Sequence, residues 1–94
     1  MITYIRFRVA QSEIPRFLKF YKNGITNLNA KNTISDYELS QCQSEKENFI
    51  LRICWKSGHK TSLSKEDKIQ LQIFLDKVNG YKDDILEMRN YTVF

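Results

Sequence analysis

The sequence predicts an α+β domain of ferredoxin-like order, β-α-β-β-α-β, with two helices on one face of a four-stranded antiparallel sheet. Three observations predict it. Residues 2–9 and 48–55 carry the side-to-side alternation of half-buried strands. Two other segments repeat apolar residues at helical spacing. The polar run Gln43-Ser-Glu-Lys-Glu47 is short enough to join residues 37–42 and 48–55 as an antiparallel hairpin.

In the first strand Thr3, Ile5, Phe7 and Val9 share one face, and Tyr4, Arg6 and Arg8 share the other. Ser12 is suited to cap the first helix, and Pro15 sits in its first turn, where a missing N–H costs nothing. Ile14, Phe17, Leu18, Tyr21, Ile25 and Leu28 form the apolar stripe, Gly24 weakens the last turns, and residues 27–36 read as a polar loop. After the hairpin, Ser64 with Asp67 three residues on resembles a capping box. Ile69, Leu71, Phe74, Leu75 and Val78 then supply a second helical stripe that stops near Gly80, and residues 85–94 become β-prone.

Ninety-four residues without a Pro-, Gly- or Ser-rich linker fit one domain spanning 1–94. A chain of this size buries about 60–70% of its unfolded surface, so a subunit interface would add useful stability. Arg6 and Arg8 interrupt the N-terminal apolar pattern, which therefore does not read as a secretory signal, and no run reaches membrane-spanning length. Cys42 and Cys54 lack metal or redox spacing; Cys54 reads as a small core residue, and a cytoplasmic location without a disulfide is the expectation. The net charge of +4 comes from scattered lysines and arginines interleaved with carboxylates. That pattern describes a solvated surface better than a phosphate-binding stripe, and no membrane or nucleic-acid partner is expected.

If Ile5, Phe7, Leu51 and Ile53 pack beneath the helices, the uncovered sheet face carries Tyr4, Arg6, Arg8, Ile50, Arg52 and Cys54. The reversed register would bring the arginines toward the helices. A mixed apolar and cationic face of this kind invites a second subunit or a ligand with an oxygen-rich edge.

Tyr4-Ile-Arg-Phe-Arg8, Phe49-Ile-Leu-Arg-Ile-Cys-Trp55-Lys-Ser57, Gly58-His59 and Asp84-Ile-Leu-Glu-Met-Arg-Asn-Tyr91 together resemble the antibiotic biosynthesis monooxygenase family. Within it they are similar to a bacterial branch that also occurs joined to truncated haemoglobins. The resemblance runs over nearly the whole chain on short motifs. It implies a homodimeric α+β barrel of two facing sheets, each subunit holding a pocket between helices and sheet. It also implies oxidation of phenolic or quinol-type substrates by molecular oxygen with no metal or flavin cofactor, and relatives degrade haem. The chain departs from the family in a shortened stretch after Trp55 and in Asn90, where the branch commonly has His.

His59 is the only histidine, and its ordinary pKa near 6.5 suits it to take a phenolic proton. It reads equally as a surface loop residue between Gly58 and Lys60. Trp55 is either an aromatic wall for a planar substrate or strand-end core. Arg52 and Arg6 would hold a substrate oxyanion, or else pair with Glu38 and Glu87 across the sheet. Tyr91 and Asn90 would orient a quinol oxygen, or Tyr91 simply packs. One His and two separated Cys make no zinc set, and neither a Gly-rich phosphate loop nor a nucleophile elbow is present. Two functions remain: a cofactor-independent monooxygenase acting on a small aromatic or quinol-like ligand, and a non-catalytic ligand- or partner-binding module that works with a haem protein. The RNA-recognition fold shares this strand order, but its aromatic motif is missing from residues 48–55.

Overall fold

The structure, a computed structural model, describes residues 1–56, 63–78 and 85–94. Strand β1 (Ile2–Arg8) leads through a single 3-10 turn, Gln11–Glu13, into helix α1 (Ile14–Ala30). Strands β2 (Ile34–Gln41) and β3 (Asn48–Trp55), helix α2 (Lys65–Lys77) and strand β4 (Ile85–Tyr91) follow. The sheet order is β2-β3-β1-β4, with every neighbouring pair antiparallel. This is the expected ferredoxin-like α+β arrangement.

The register selects between the two possible sheet faces. Ile5 stands opposite Leu51 and Phe7 opposite Phe49, and all four are buried with Ile53 and Val9 on the helix side. Tyr4, Arg6, Arg8, Ile50, Arg52 and Cys54 therefore share the open side. At the centre of the core the Phe17 ring of α1 lies 5.4 Å from Phe7 and 5.0 Å from Phe49, in tilted contacts that aromatic quadrupoles favour. Gly24 does more than loosen a helix. A Cβ there would stand 3.0 Å from Cδ1 and 3.2 Å from Cε1 of the buried Phe74 ring, so the absent side chain is what lets α1 and α2 approach. Gly24→Ala gains about 1 kcal/mol in helix propensity but overpacks this contact at a cost of about 1–3 kcal/mol. The expected net result is a lower urea midpoint; a higher one would show that the Phe74 ring yields freely.

Several expectations are corrected. The α1 cap is Glu13 rather than Ser12, and it makes no side-chain capping bond; Ser12 instead lies in the 3-10 turn, in which the Glu13 N–H donates to the Ala10 carbonyl at 2.8 Å. Residues 27–36 are not a loop: α1 runs to Ala30 and β2 starts at Ile34, leaving a short turn in which Asn32 takes φ 59°. Burial of Leu28 and Ile34 offsets the poor helix propensity of Asn27 and Asn29. Ile69 leaves the buried stripe and is 45% exposed, while Asp67 and Gln70 turn inward. Cys54 lies on the open face, not in the core, and both cysteines are free. Strand β4 ends at Tyr91, short of Phe94. The Ser64 cap forms as expected, its hydroxyl accepting from the Asp67 N–H at 3.0 Å. Among the described residues no helix is long and apolar enough to cross a membrane.

Candidate functional site

The alternation of β1 places Thr3 on the helix side, where it is fully buried. A buried hydroxyl needs partners, and the sheet register supplies two. Asn90 lies directly opposite Thr3 on β4. Ile53 lies opposite it on β3, and Trp55, two residues further on the same face, reaches the diagonal position open to a long side chain. The Trp55 indole N–H donates to Thr3 Oγ1 at 2.8 Å, and the Thr3 hydroxyl donates to Asn90 Oδ1 at 2.6 Å. This relay crosses three strands. The amide nitrogen of Asn90, at its end, makes no hydrogen bond among the described residues.

The relay runs from the core to the surface. Trp55 is 6% exposed, so its ring is core on one side and relay donor on the other. Asn90 and Met88 belong to the helix side of β4, yet both are exposed, Met88 at 48%. The described helices do not cover that edge strand, and Met88 with Asn90 forms a shelf having an apolar end and an amide end. His59 follows Trp55 by four positions in the chain and lies outside the described residues, as do Gly58, Lys60, Gly80, Asp83 and Asp84.

Arg6, Arg52 and Tyr91 occupy the opposite side of the sheet, so the expected site residues do not converge on one pocket. Arg52 donates to Asp36 at 2.8 Å and to Cys54 Sγ at 2.9 Å, with Glu38 at 3.9 Å. Arg6 pairs with the facing Glu87 at 3.2 Å, and Glu87 also meets Arg89 at 2.5 Å. These guanidinium groups are engaged with the protein's own carboxylates, as the structural alternative for them required. Asp36, the strongest partner of Arg52, falls in the segment whose local sequence favours a loop, so only the structure brings the two together. Beside the Arg6–Glu87 pair, Ile2, Tyr4, Ile50, Tyr91 and Val93 line a shallow cup of about 470 Å³. Its Tyr4 and Tyr91 rings stand edge to face with centroids 5.3 Å apart.

The Arg52 hydrogen bond, followed by the Tyr37 N–H, holds the Asp36 carboxyl below the usual carboxylate range. A depressed folded-state pKa contributes stability above the ordinary value near 3.9, and that contribution disappears as pH falls through the folded-state value. Asp36→Asn is therefore expected to flatten the acid limb of a Tm-against-pH curve below about pH 4. Identical limbs would mean that the pair contributes nothing to folding.

With this geometry in place, known structures supply a comparison. A protein from Chloroflexus aurantiacus, provisionally named an antibiotic biosynthesis monooxygenase, superposes with a TM-score of 0.72 at 10% identity, over 99% of this chain and 91% of its own. One from Bordetella bronchiseptica with the same provisional name gives 0.66 at 8% identity, over 98% and 96%. A third, named antibiotic biosynthesis monooxygenase outright, gives 0.63 at 13% identity, over 99% and 100%. The chain has the antibiotic biosynthesis monooxygenase fold. No protein-family model matches the sequence, and no curated protein matches it either. Within the antibiotic biosynthesis monooxygenase fold, the relay joins the end of β3 through the central strand β1 to the edge strand β4.

Proposed function

We propose that the protein is a cofactor-independent monooxygenase acting on a small aromatic or quinol-type substrate, with the Met88–Asn90 shelf as its binding edge. The Trp55–Thr3–Asn90 relay carries the reading. It holds Asn90 with its carbonyl oxygen occupied and its amide N–H groups without a partner among the described residues, the orientation required to donate to a quinol or phenolate oxygen. Trp55 and Thr3 position that amide, and Met88 offers apolar contact to a ring. His59 takes the phenolic proton, producing an electron-rich phenolate that can reduce oxygen. With no external reductant the balance is fixed. An activated ring methylene and one O2 give a carbonyl and one water, and a hydroquinone and one O2 give a hydroxyquinone and one water, the substrate supplying all the electrons.

The functional unit in this proposal is a homodimer joined through the open sheet faces, where the alternating Arg and Glu side chains and the aromatic cup meet their own symmetry copies. The two free thiols suit a reducing, cytoplasmic compartment.

The test is oxygen uptake by the purified protein with a panel of anthrones and hydroquinones, beside native mass spectrometry. One O2 consumed per substrate by a dimer is expected. His59→Ala should abolish uptake, and Asn90→Ala should raise KM while leaving the far-UV spectrum unchanged. Saturable binding of the panel without uptake would replace the enzyme by a non-catalytic binding module. A monomer at micromolar concentration would remove the facing-sheet contact.

A further inference from the structure

The outer side of the helical layer carries an independent feature. Gly24, Leu28 and Lys31 of α1 and its C-cap lie along a groove whose other wall is formed by Ile73, Phe74 and Lys77 of α2, enclosing about 290 Å³. Its walls come from positions i, i+4 and i+7 of α1 and i, i+1 and i+4 of α2, the ridge pattern by which helices receive another helix. Leu28 and Phe74 are buried at its floor, Ile73 is 43% exposed on its rim, and Ile69 extends the apolar strip one turn further.

The charge of the two helices that form the groove is net basic. Helix α1 contains Arg16, Lys19 and Lys22 and no carboxylate, and Lys31 follows it directly. On α2 Glu66, Asp67 and Asp76 match Lys65, Lys68 and Lys77 in number, so the basic excess comes from α1 and its C-cap. Glu66 accepts from Gln70, Asp76 accepts from Gln72, and Asp67 is 3% exposed. Neither Lys31 nor Lys77 pairs with a carboxylate among the described residues. The helices run antiparallel and Gly24 packs beside Lys77, so the two lysines mark opposite ends of the groove, about 10 Å apart along the axis.

We propose that this groove docks an acidic amphipathic helix of another protein, with apolar side chains over Leu28 and Phe74 and carboxylates seven residues apart on Lys31 and Lys77. Seven residues rise about 10 Å, which matches the lysine spacing. A second copy of this chain is a poor occupant. A two-fold contact here would set these lysines against one another. The proposal is independent of the oxygenase reading.

The probe is a labelled, blocked helical peptide of about four turns, with Glu at i and i+7 and Leu at i+3 and i+4, read by fluorescence anisotropy at about 50 mM salt. A control peptide carries Lys in place of both Glu. The Glu peptide is expected to bind at least tenfold tighter than the control. The double variant K31E/K77E should invert that preference, and Ile73→Glu should weaken the Glu peptide at least tenfold. All three positions are exposed, so far-UV spectra should be unchanged. Equal affinity for the two peptides, or undiminished Glu-peptide affinity in K31E/K77E, overturns the proposal. So does self-association abolished by Ile73→Glu, which would assign the groove to a second copy.

Discussion

Phe17→Ala is expected to lower the stability of the protein by about 3–5 kcal/mol, the range for deleting a fully enclosed aromatic side chain. Phe17 is fully buried, and its ring joins α1 to both Phe7 and Phe49. Its loss opens a void walled by two strands and a helix, none of which can close it without breaking the sheet register. A domain of this length has a total stability of roughly 5–15 kcal/mol, so the substitution should remove about a fifth of it or more. Urea unfolding at fixed protein concentration measures the difference. Ile69→Ala is the internal comparison: that side chain is 45% exposed, and its removal should change stability by no more than about 0.5 kcal/mol. A Phe17→Ala loss as small as that of Ile69→Ala would mean that the core collapses around the gap.

The relay predicts the second large effect. Thr3→Val preserves shape but strands the buried Trp55 N–H and releases Asn90, at an expected cost of about 1–3 kcal/mol. Thr3→Ser keeps the hydroxyl and loses one methyl, worth about 0.8 kcal/mol. The expected order of urea midpoints is wild type, Ser, then Val. The tryptophan near-UV signal should change in Thr3→Val alone. If the Val variant proved as stable as the Ser variant, the hydroxyl would be a bystander. In the oxygenase reading, Thr3→Val also loosens the Asn90 amide, so KM should rise while His59 chemistry persists.

The sheet was readable where side chains alternate cleanly. Ile5, Phe7, Leu51 and Ile53 set the covered face, and the arginine-bearing face followed from them. Sequence pattern and structure part company where local propensity and tertiary packing disagree. Asn27 and Asn29 favour a loop, yet Leu28 has a core position to fill and carries the helix past them. Ile69 fits a helical stripe by spacing, but the helix turns so that Asp67 and Gln70 face inward, and nothing local records that rotation. Trp55 and Asn90 were both candidates, but on separate grounds. Their connection passes through Thr3, an ordinary strand residue whose only signal was a hydroxyl on an apolar face. Glu38 is the evident partner of Arg52 in the sequence, whereas Asp36 reaches it only because β2 begins at Ile34.

The strand order also governs when the sheet can exist. β1 is central, and it pairs with β3 on one side and β4 on the other, Ile2 lying opposite Tyr91. During synthesis at about 5–20 residues per second, β1 waits several seconds before β4 emerges to cover its second edge. Contacts so distant in sequence also slow the final closure. In that interval β1 presents unpaired N–H and C=O groups beside Ile5 and Phe7, so the nascent chain passes through an aggregation-prone stage that its finished form conceals.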